Sequence, residues 1–337
     1  MPTSTERRLQ APGVRSLVWD EDVLVDWVAG GSRYGLDGEV PESRVRYAYP
    51  FDAAVSLAGT GYSVIYTRLG TKGLVLKDGQ VVREINRSFY HAHVYEYPIA
   101  LFRLPTGRTV LAHCPTDYCC LDIEDLATGE VLTNSSDRKP SDIFHSRLAA
   151  SPDGRFLLSA GWVWHPVDCV SVYDIEEVLA DPTRLDGPGI CPQAVAEESS
   201  ATYFPDGRLT VALLGNIESD KANPPGELRI CDVSQPDSPC LVLPTGRLGS
   251  LAAIGDDHLL AFYGHPRLIE VRSGKEVLNW PHLRSGTQTS SIMMTDPEVP
   301  PMAVDSSRRR FAIADAQGIV VVQVELEGSE PTSSTDR

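Results

Sequence analysis

The sequence predicts an all-β fold, and three observations carry that prediction. Apolar residues alternate with a period of two along most of the chain, stripes of helical period are almost absent, and tight turns recur at near-regular intervals. YSVIYTRL, GRTVLAHC, RFLLSAGW, LTVALLG, HLLAFYG and FAIADA are runs of β-branched, aromatic or aliphatic residues bounded by turn residues. The 27 glycines and 25 prolines are scattered as punctuation and gather into no linker. One short helical turn is expected in DIEEVLADP, residues 174–182, where Pro182 stops it.

The turns repeat. Pro152-Asp153-Gly154-Arg155 returns as Pro205-Asp206-Gly207-Arg208 and as Pro105-Thr106-Gly107-Arg108. Looser versions stand at Asp20-Glu21-Asp22, Gly59-Thr60-Gly61, Gly255-Asp256-Asp257 and Ser306-Ser307-Arg308, with steps of 39 to 53 residues. Glycine accepts the positive φ that such reversals need. Seven units, each able to make about four short strands, are what a seven-bladed β-propeller requires. A lone blade leaves both faces of its twisted sheet exposed, whereas a closed ring buries them all. The last unit, MAVDSSRRRFAIADAQGIVVVQVEL, supplies only three strands, so the fourth is expected near the N-terminus, around Glu6 to Gln10. The predicted organisation is an N-terminal segment at 1–13, one propeller domain at 14–327 and a disordered polar tail at 328–337.

SPDGRFLLSAG followed by VSVYDI, FPDGRLTVALLG followed by GELRICDV, and LPTGRTVLAHC followed by CCLDIEDLATGEVL resemble the blades of the WD-repeat family. Tyr173-Asp174, Cys231-Asp232 and Glu124-Asp125 occupy the place of the Trp-Asp dipeptide, which no unit contains. In that family a histidine, a serine of the second strand and the tryptophan form a hydrogen-bonded structural set. The resemblance therefore implies that role for His145, Ser159 and Tyr173, with Asp168 one place from the usual turn aspartate.

Forty-six acids against 30 bases give a net charge of −16. Such a surface repels phosphate backbones and anionic lipid, so neither nucleic acid nor membrane is an expected partner. A basic protein partner or a cation suits the field better, and charge alone does not choose between them. MPTSTERRLQAPG has no apolar h-region, and no run is long enough to span a bilayer. Seven cysteines, an odd number without framework spacing, read as small buried hydrophobes in a reducing cytoplasm. Cys119 and Cys120, if on a strand, would face opposite sides. The chain is expected to be a cytoplasmic monomer without a cofactor.

A propeller brings its interblade links and the turns between second and third strands to one face. That scheme puts His91, His93 and His145 on links, and His113, His165 and His265 in turns of the same face. His258 falls to the opposite face and His282 begins the last link. Aromatic residues crowd the same loops, and the long polar turn GNIESDKANPPGE at 215–227 joins them. The candidate binding residues are His91, His93, Tyr95, His113, Asp117, Tyr118, Trp164, His165, Asn216, Glu218, Asp220, Tyr263 and His265. Against this, Trp162 and Trp164 could pack between blades, and His145 fits a structural place better than a chemical one. The expected function is non-catalytic protein binding by a scaffold, adaptor or inhibitor of a basic partner. The alternative is a hydrolase, lyase or metal protein, with His91, His93 and His113 as ligands, since His-Ala-His on a strand turns both rings to one side. No Gly-x-Ser-x-Gly elbow, phosphate-binding glycine loop or His-Glu-x-x-His helix supports that alternative.

Overall fold

The structure is a computed structural model that describes residues 2–37, 45–164, 167–190, 197–213, 226–293 and 299–326. Seven small antiparallel sheets follow one another along the chain and close into a seven-bladed β-propeller. Blade 1 is Val18–Asp20, Val23–Asp26 and Ser32–Gly35. Blade 2 is Ala53–Leu57, Tyr62–Tyr66, Lys72–Lys77 and Gln80–Asn86. Blade 3 is Ile99–Arg103, Thr109–His113 and Asp122–Asp125, with a Glu124–Val131 bridge beside its third strand.

Blade 4 has an inner strand broken into Ile143–Phe144 and Ala149–Ala150, then Phe156–Val163 and Val167–Asp174. Blade 5 is Glu198–Tyr203, Leu209–Leu213, Gly226–Cys231 and Leu241–Thr245. Blade 6 is Leu251–Ile254, His258–Ala261, Arg267–Glu270 and Lys275–Asn279. Blade 7 joins Met302–Asp305, Arg310–Asp315 and Gly318–Glu325 to the N-terminal Thr3–Leu9.

Alternation of side chains explains why the ring is stable. In blade 2, Val64 and Val75 enter a cluster with Tyr97, Ile99 and Leu111 of blade 3. Their neighbours Ile65 and Leu76 point the other way, to Val28 and Phe51 beside blade 1. The same division recurs around the molecule, so one hydrophobic cluster fills each of the seven blade junctions. Strands buried on both faces are why the apolar runs in the sequence are so dense.

The closing strand pairs from Thr3 opposite Glu325 to Leu9 opposite Ile319. It therefore begins three residues before the expected Glu6 and ends at Leu9. Leu9 is buried in the junction between blades 7 and 1. Arg8 makes two hydrogen bonds of 2.8 and 3.0 Å from Nη1 to Asp315, and His282, at the start of the link from blade 6 to blade 7, meets Glu6 at 2.9 Å.

The PDGR turn of blade 4 is a hydrogen-bonded reversal. Gly154 N–H donates to the Ser151 carbonyl at 2.9 Å and Arg155 N–H to Asp153 Oδ1 at 3.1 Å. The expected helical turn is present as Ile175–Ala180, capped by Asp174, whose side chain accepts from the Glu176 and Glu177 N–H groups. A 3₁₀ turn, Pro182–Asp186, follows at the proline.

Part of the structural set implied by the repeat resemblance is found. His145 Nδ1 lies 3.1 Å from Ser159 Oγ, both buried, and burial pulls the imidazole pKa down to about 4, so the ring is neutral. Tyr173 turns its hydroxyl to the Gly187 carbonyl at 3.0 Å instead, and Asp168 accepts from Ser291.

Two cysteine expectations are corrected. Cys231 and Cys240 form a disulfide across the hairpin between the third and fourth strands of blade 5, because Ile230 and Leu241 pair and bring their neighbours face to face. Cys119 and Cys120 stand in a turn, not on a strand, and both are half-buried. No helix among the described residues is long and apolar enough to cross a membrane.

Candidate functional site

The upper face, where links and second-to-third-strand turns emerge, carries a cluster of aromatic rings centred on Phe144. Phe144 ends the short strand Ile143–Phe144 and pairs directly with Trp162, so their side chains share one side of the sheet. The rings stack with centroids 3.8 Å apart and an interplanar angle of 10°. Gly161 permits the fit, since a Cβ there would stand 2.0 Å from the Phe144 carbonyl oxygen. Tyr118, from the turn of blade 3, stacks on Phe144 at 4.2 Å, and Tyr90 lies 4.9 Å from Tyr118. Trp164 stands upright to the stack, at 88° to Phe144 and 81° to His91.

The base of the cluster is buried and braced. Tyr95 is fully buried with its ring edge-on to Phe144 at 5.5 Å. Arg87 is also buried; its guanidinium lies over the Tyr95 and Tyr97 rings and donates to the carbonyls of Gly70, Ala92 and Tyr95. Those bonds fix the link of residues 87–97, in which His91 adopts a left-handed φ of 52°.

The rim is open. Phe89 is 85% exposed, Tyr90 46% and Trp164 39%, a concentration of large apolar side chains at one place. Carboxylates flank it: the Tyr118 hydroxyl donates to Asp142 at 2.7 Å, and Asp117 is exposed one residue from Tyr118. Burial and the neighbouring Asp142 push the Tyr118 phenol above its ordinary pKa, so it remains a donor.

The link from blade 6 to blade 7 does not follow the rim but crosses the mouth of the ring. Gly286 bridges Gly264 of blade 6. Ser291 donates from its N–H and its hydroxyl to Asp168 of blade 4, at 2.9 and 2.5 Å. Ile292 bridges Tyr95 and packs into the aromatic base, while Met293 N–H donates to the Val94 carbonyl at 2.6 Å.

The structure brings His91, Tyr95, Tyr118 and Trp164 of the expected set together, with His93 6.4 Å from His91 ring to ring. Trp162 is the buried member of the tryptophan pair and Trp164 the exposed one. His113 is not in the mouth. It is the last residue of its strand, buried, and directed at Glu124 3.5 Å away, which Arg83 of blade 2 also holds at 2.7 Å; this is a junction between blades 2 and 3. The three histidines therefore do not converge, and among the described residues no group of three His, Cys, Asp or Glu side chains is placed to hold a metal. Tyr263 accepts a hydrogen bond from Arg247 at 3.1 Å on blade 6, and neither it nor the half-buried His265 is in ring contact with the Phe144 cluster. His165, Asn216, Glu218 and Asp220 lie outside the described residues, as do most of the 215–227 turn and the 328–337 tail.

Phe144, Phe89, Tyr90, Trp162 and Asp142 were not among the expected site residues. Phe144 was legible in principle, since it precedes His145 at the start of an inner strand and so falls on the upper face.

The fold and this face together define a β-propeller with an aromatic, acid-flanked ledge. No protein-family model matches the sequence, and no curated protein matches it. Among solved structures the chain is similar to a streptogramin B lyase, with a TM-score of 0.56 over 96% of this chain and 98% of that one, at 10% identity. A likeness at that identity is one of fold.

Proposed function

We propose that this propeller is a non-catalytic binding module, a divergent relative of the WD-repeat propellers, that docks a basic protein partner on the aromatic ledge of its upper face. The observation that carries the reading is exposed Tyr90 and Trp164 standing on a buried stack, with exposed Phe89 next to Tyr90 in the same link. Rigid aromatics give large contact area with few rotamers to freeze, and they are the side chains that dominate binding energy at interfaces. Asp117, Asp142 and the net charge of −16 favour a cationic partner, both by attraction over distance and by cation–π contact at the ring faces. Among the described residues neither His91 nor His93 has a carboxylate at ion-pair distance, so the pairing that makes a histidine an efficient general base is lacking at the ledge.

The test is photo-crosslinking in the native host with a benzophenone amino acid at Phe89, and at Val81 on the outer strand of blade 2 as control. The reading expects a basic protein captured from Phe89 and not from Val81. Capture should fall about thirtyfold or more when Tyr90 and Trp164 are both alanine, corresponding to the loss of about 2 kcal/mol or more at an interface hot spot. Capture that ignores those two substitutions, or an acidic partner, would overturn it.

A further inference from the structure

We propose that the mouth of the ring holds a second, separate site for a small zwitterion, an α-amino acid with an apolar side chain. A pocket of about 390 Å³ opens there between blades 7, 1 and 2, beside the crossing link. Ligand sites of this size are lined mostly by apolar surface with a few placed polar groups. This pocket is lined about equally by polar and apolar surface: Leu17, Leu69, Met293 and Met302 supply apolar walls, and Arg15, Arg68 and Asp52 the charges.

Of these, Arg15 and Asp52 are neighbours that do not form a salt bridge with each other. The Arg15 guanidinium donates to the Phe51 carbonyl at 2.7 Å, and among the described residues no carboxylate forms a salt bridge with it. Asp52 Oδ1 accepts the backbone N–H of Arg68 at 2.7 Å, and both Arg68 and Arg15 attract its carboxylate. Arg68 directs its Nε to Glu96, 3.2 Å away. Backbone groups thus anchor a cation and an anion in one pocket, and among the described residues no salt bridge joins Arg15 to Asp52. Burial pushes the Asp52 carboxyl up against the opposing pull of Arg68 and Arg15, a cost that a bound ammonium would relieve.

The ligand follows from that arrangement. A simple anion would leave Asp52 facing it, and a simple cation would face Arg15, so a molecule carrying both charges fits best. Because the guanidinium rests on the carbonyl of the residue preceding Asp52, the two protein charges are close, and the ligand's charges must be close too. An α-amino acid meets that condition, and an apolar side chain matches the methionine and leucine walls.

Saturation-transfer NMR on the full chain with L-leucine as the probe tests this. Transfer to the leucine methyls is expected, with binding at least about tenfold weaker for 4-methylpentanoate and for 3-methylbutylamine, each of which carries half of the charge pair. Arg15→Gln and Asp52→Asn should each abolish transfer, while Tyr90→Ala with Trp164→Ala on the ledge should leave it unchanged. Should Arg15→Gln lower the melting temperature, Arg15→Lys, which keeps the charge, should retain binding, and Asp52→Asn then decides. No transfer to leucine, half-ligands that bind as well as leucine, or transfer that survives Asp52→Asn would each overturn the proposal.

Discussion

Replacing Gly154 and Gly207 by alanine, one at a time, separates two costs that a glycine turn can hide. Both residues sit at corresponding places in PDGR turns with left-handed backbones, φ +71° and +85°. A Cβ in that region costs about 1–2 kcal/mol in either variant. Only Gly154 is also crowded: its Cβ would stand 1.9 Å from the Arg103 carbonyl oxygen of blade 3, and real contacts essentially never fall under 3.0 Å. The turn of blade 4 would have to withdraw from blade 3 by about 1 Å, an overpacking cost of about 1–3 kcal/mol. At Gly207 nothing lies within 4 Å, so that second cost is absent. The expected losses are about 2–5 kcal/mol for Gly154→Ala and about 1–2 kcal/mol for Gly207→Ala. Thermal unfolding reads the gap, since about 2–4 °C accompanies each kcal/mol in domains of 150–250 residues and somewhat less in a longer chain. Equal losses at the two sites, or a larger one at Gly207, would refute the argument that blade 4 seats its turn against the inner strand of blade 3.

Other substitutions probe other parts of the molecule. Gly161→Ala should force Phe144 away from Trp162, seen as a changed near-ultraviolet circular dichroism signal together with loss of crosslinking from the ledge. Ser159→Ala leaves His145 Nδ1 buried without its 3.1 Å partner and should cost about 1–3 kcal/mol in urea unfolding. Glu198 tests pH dependence. It is buried at the start of the blade 5 inner strand, and burial raises its pKa from 4.5 to about 7 despite the hydrogen bond from Val170 N–H. A carboxyl whose folded pKa is raised contributes fully below about pH 4.5, and that contribution is lost as pH rises through about 7. Glu198→Gln should therefore be more stable than the parent at about pH 8, by up to about 3 kcal/mol, with the gain vanishing near pH 4.5. A difference in urea midpoints that stays constant across this range would show that Glu198 does not titrate as its burial demands.

The ring was legible because its causes are local. Period-two alternation and glycine turns are written into each unit, and counting three strands in the last unit was enough to send the closing strand to the N-terminus. What escaped is what depends on strand register and on which side chains pairing brings face to face. His113 was assigned to a turn, yet it still pairs with Ile99 inside the strand, and that one-residue difference turns it toward Glu124 and away from the mouth. The place of Phe144 on the upper face follows from its position before His145, but its stacking becomes visible only when register sets it opposite Trp162. The Cys231–Cys240 bond escaped because an odd cysteine total argues against a framework while leaving room for one hairpin pair. Arg15 and Asp52 are 37 positions apart and gave no motif at all.

A wheel braced only at its rim can flex about its axis, but this one has a spoke. Ile292 belongs to the floor beneath the ledge, and the adjoining Met293 forms a wall of the central pocket. If both proposed sites take a guest, the two guests would bear on the same stretch of backbone, and a displacement of it by one would be felt by the other. Whatever preference the first guest has for one position of the spoke, the second must return in equal measure.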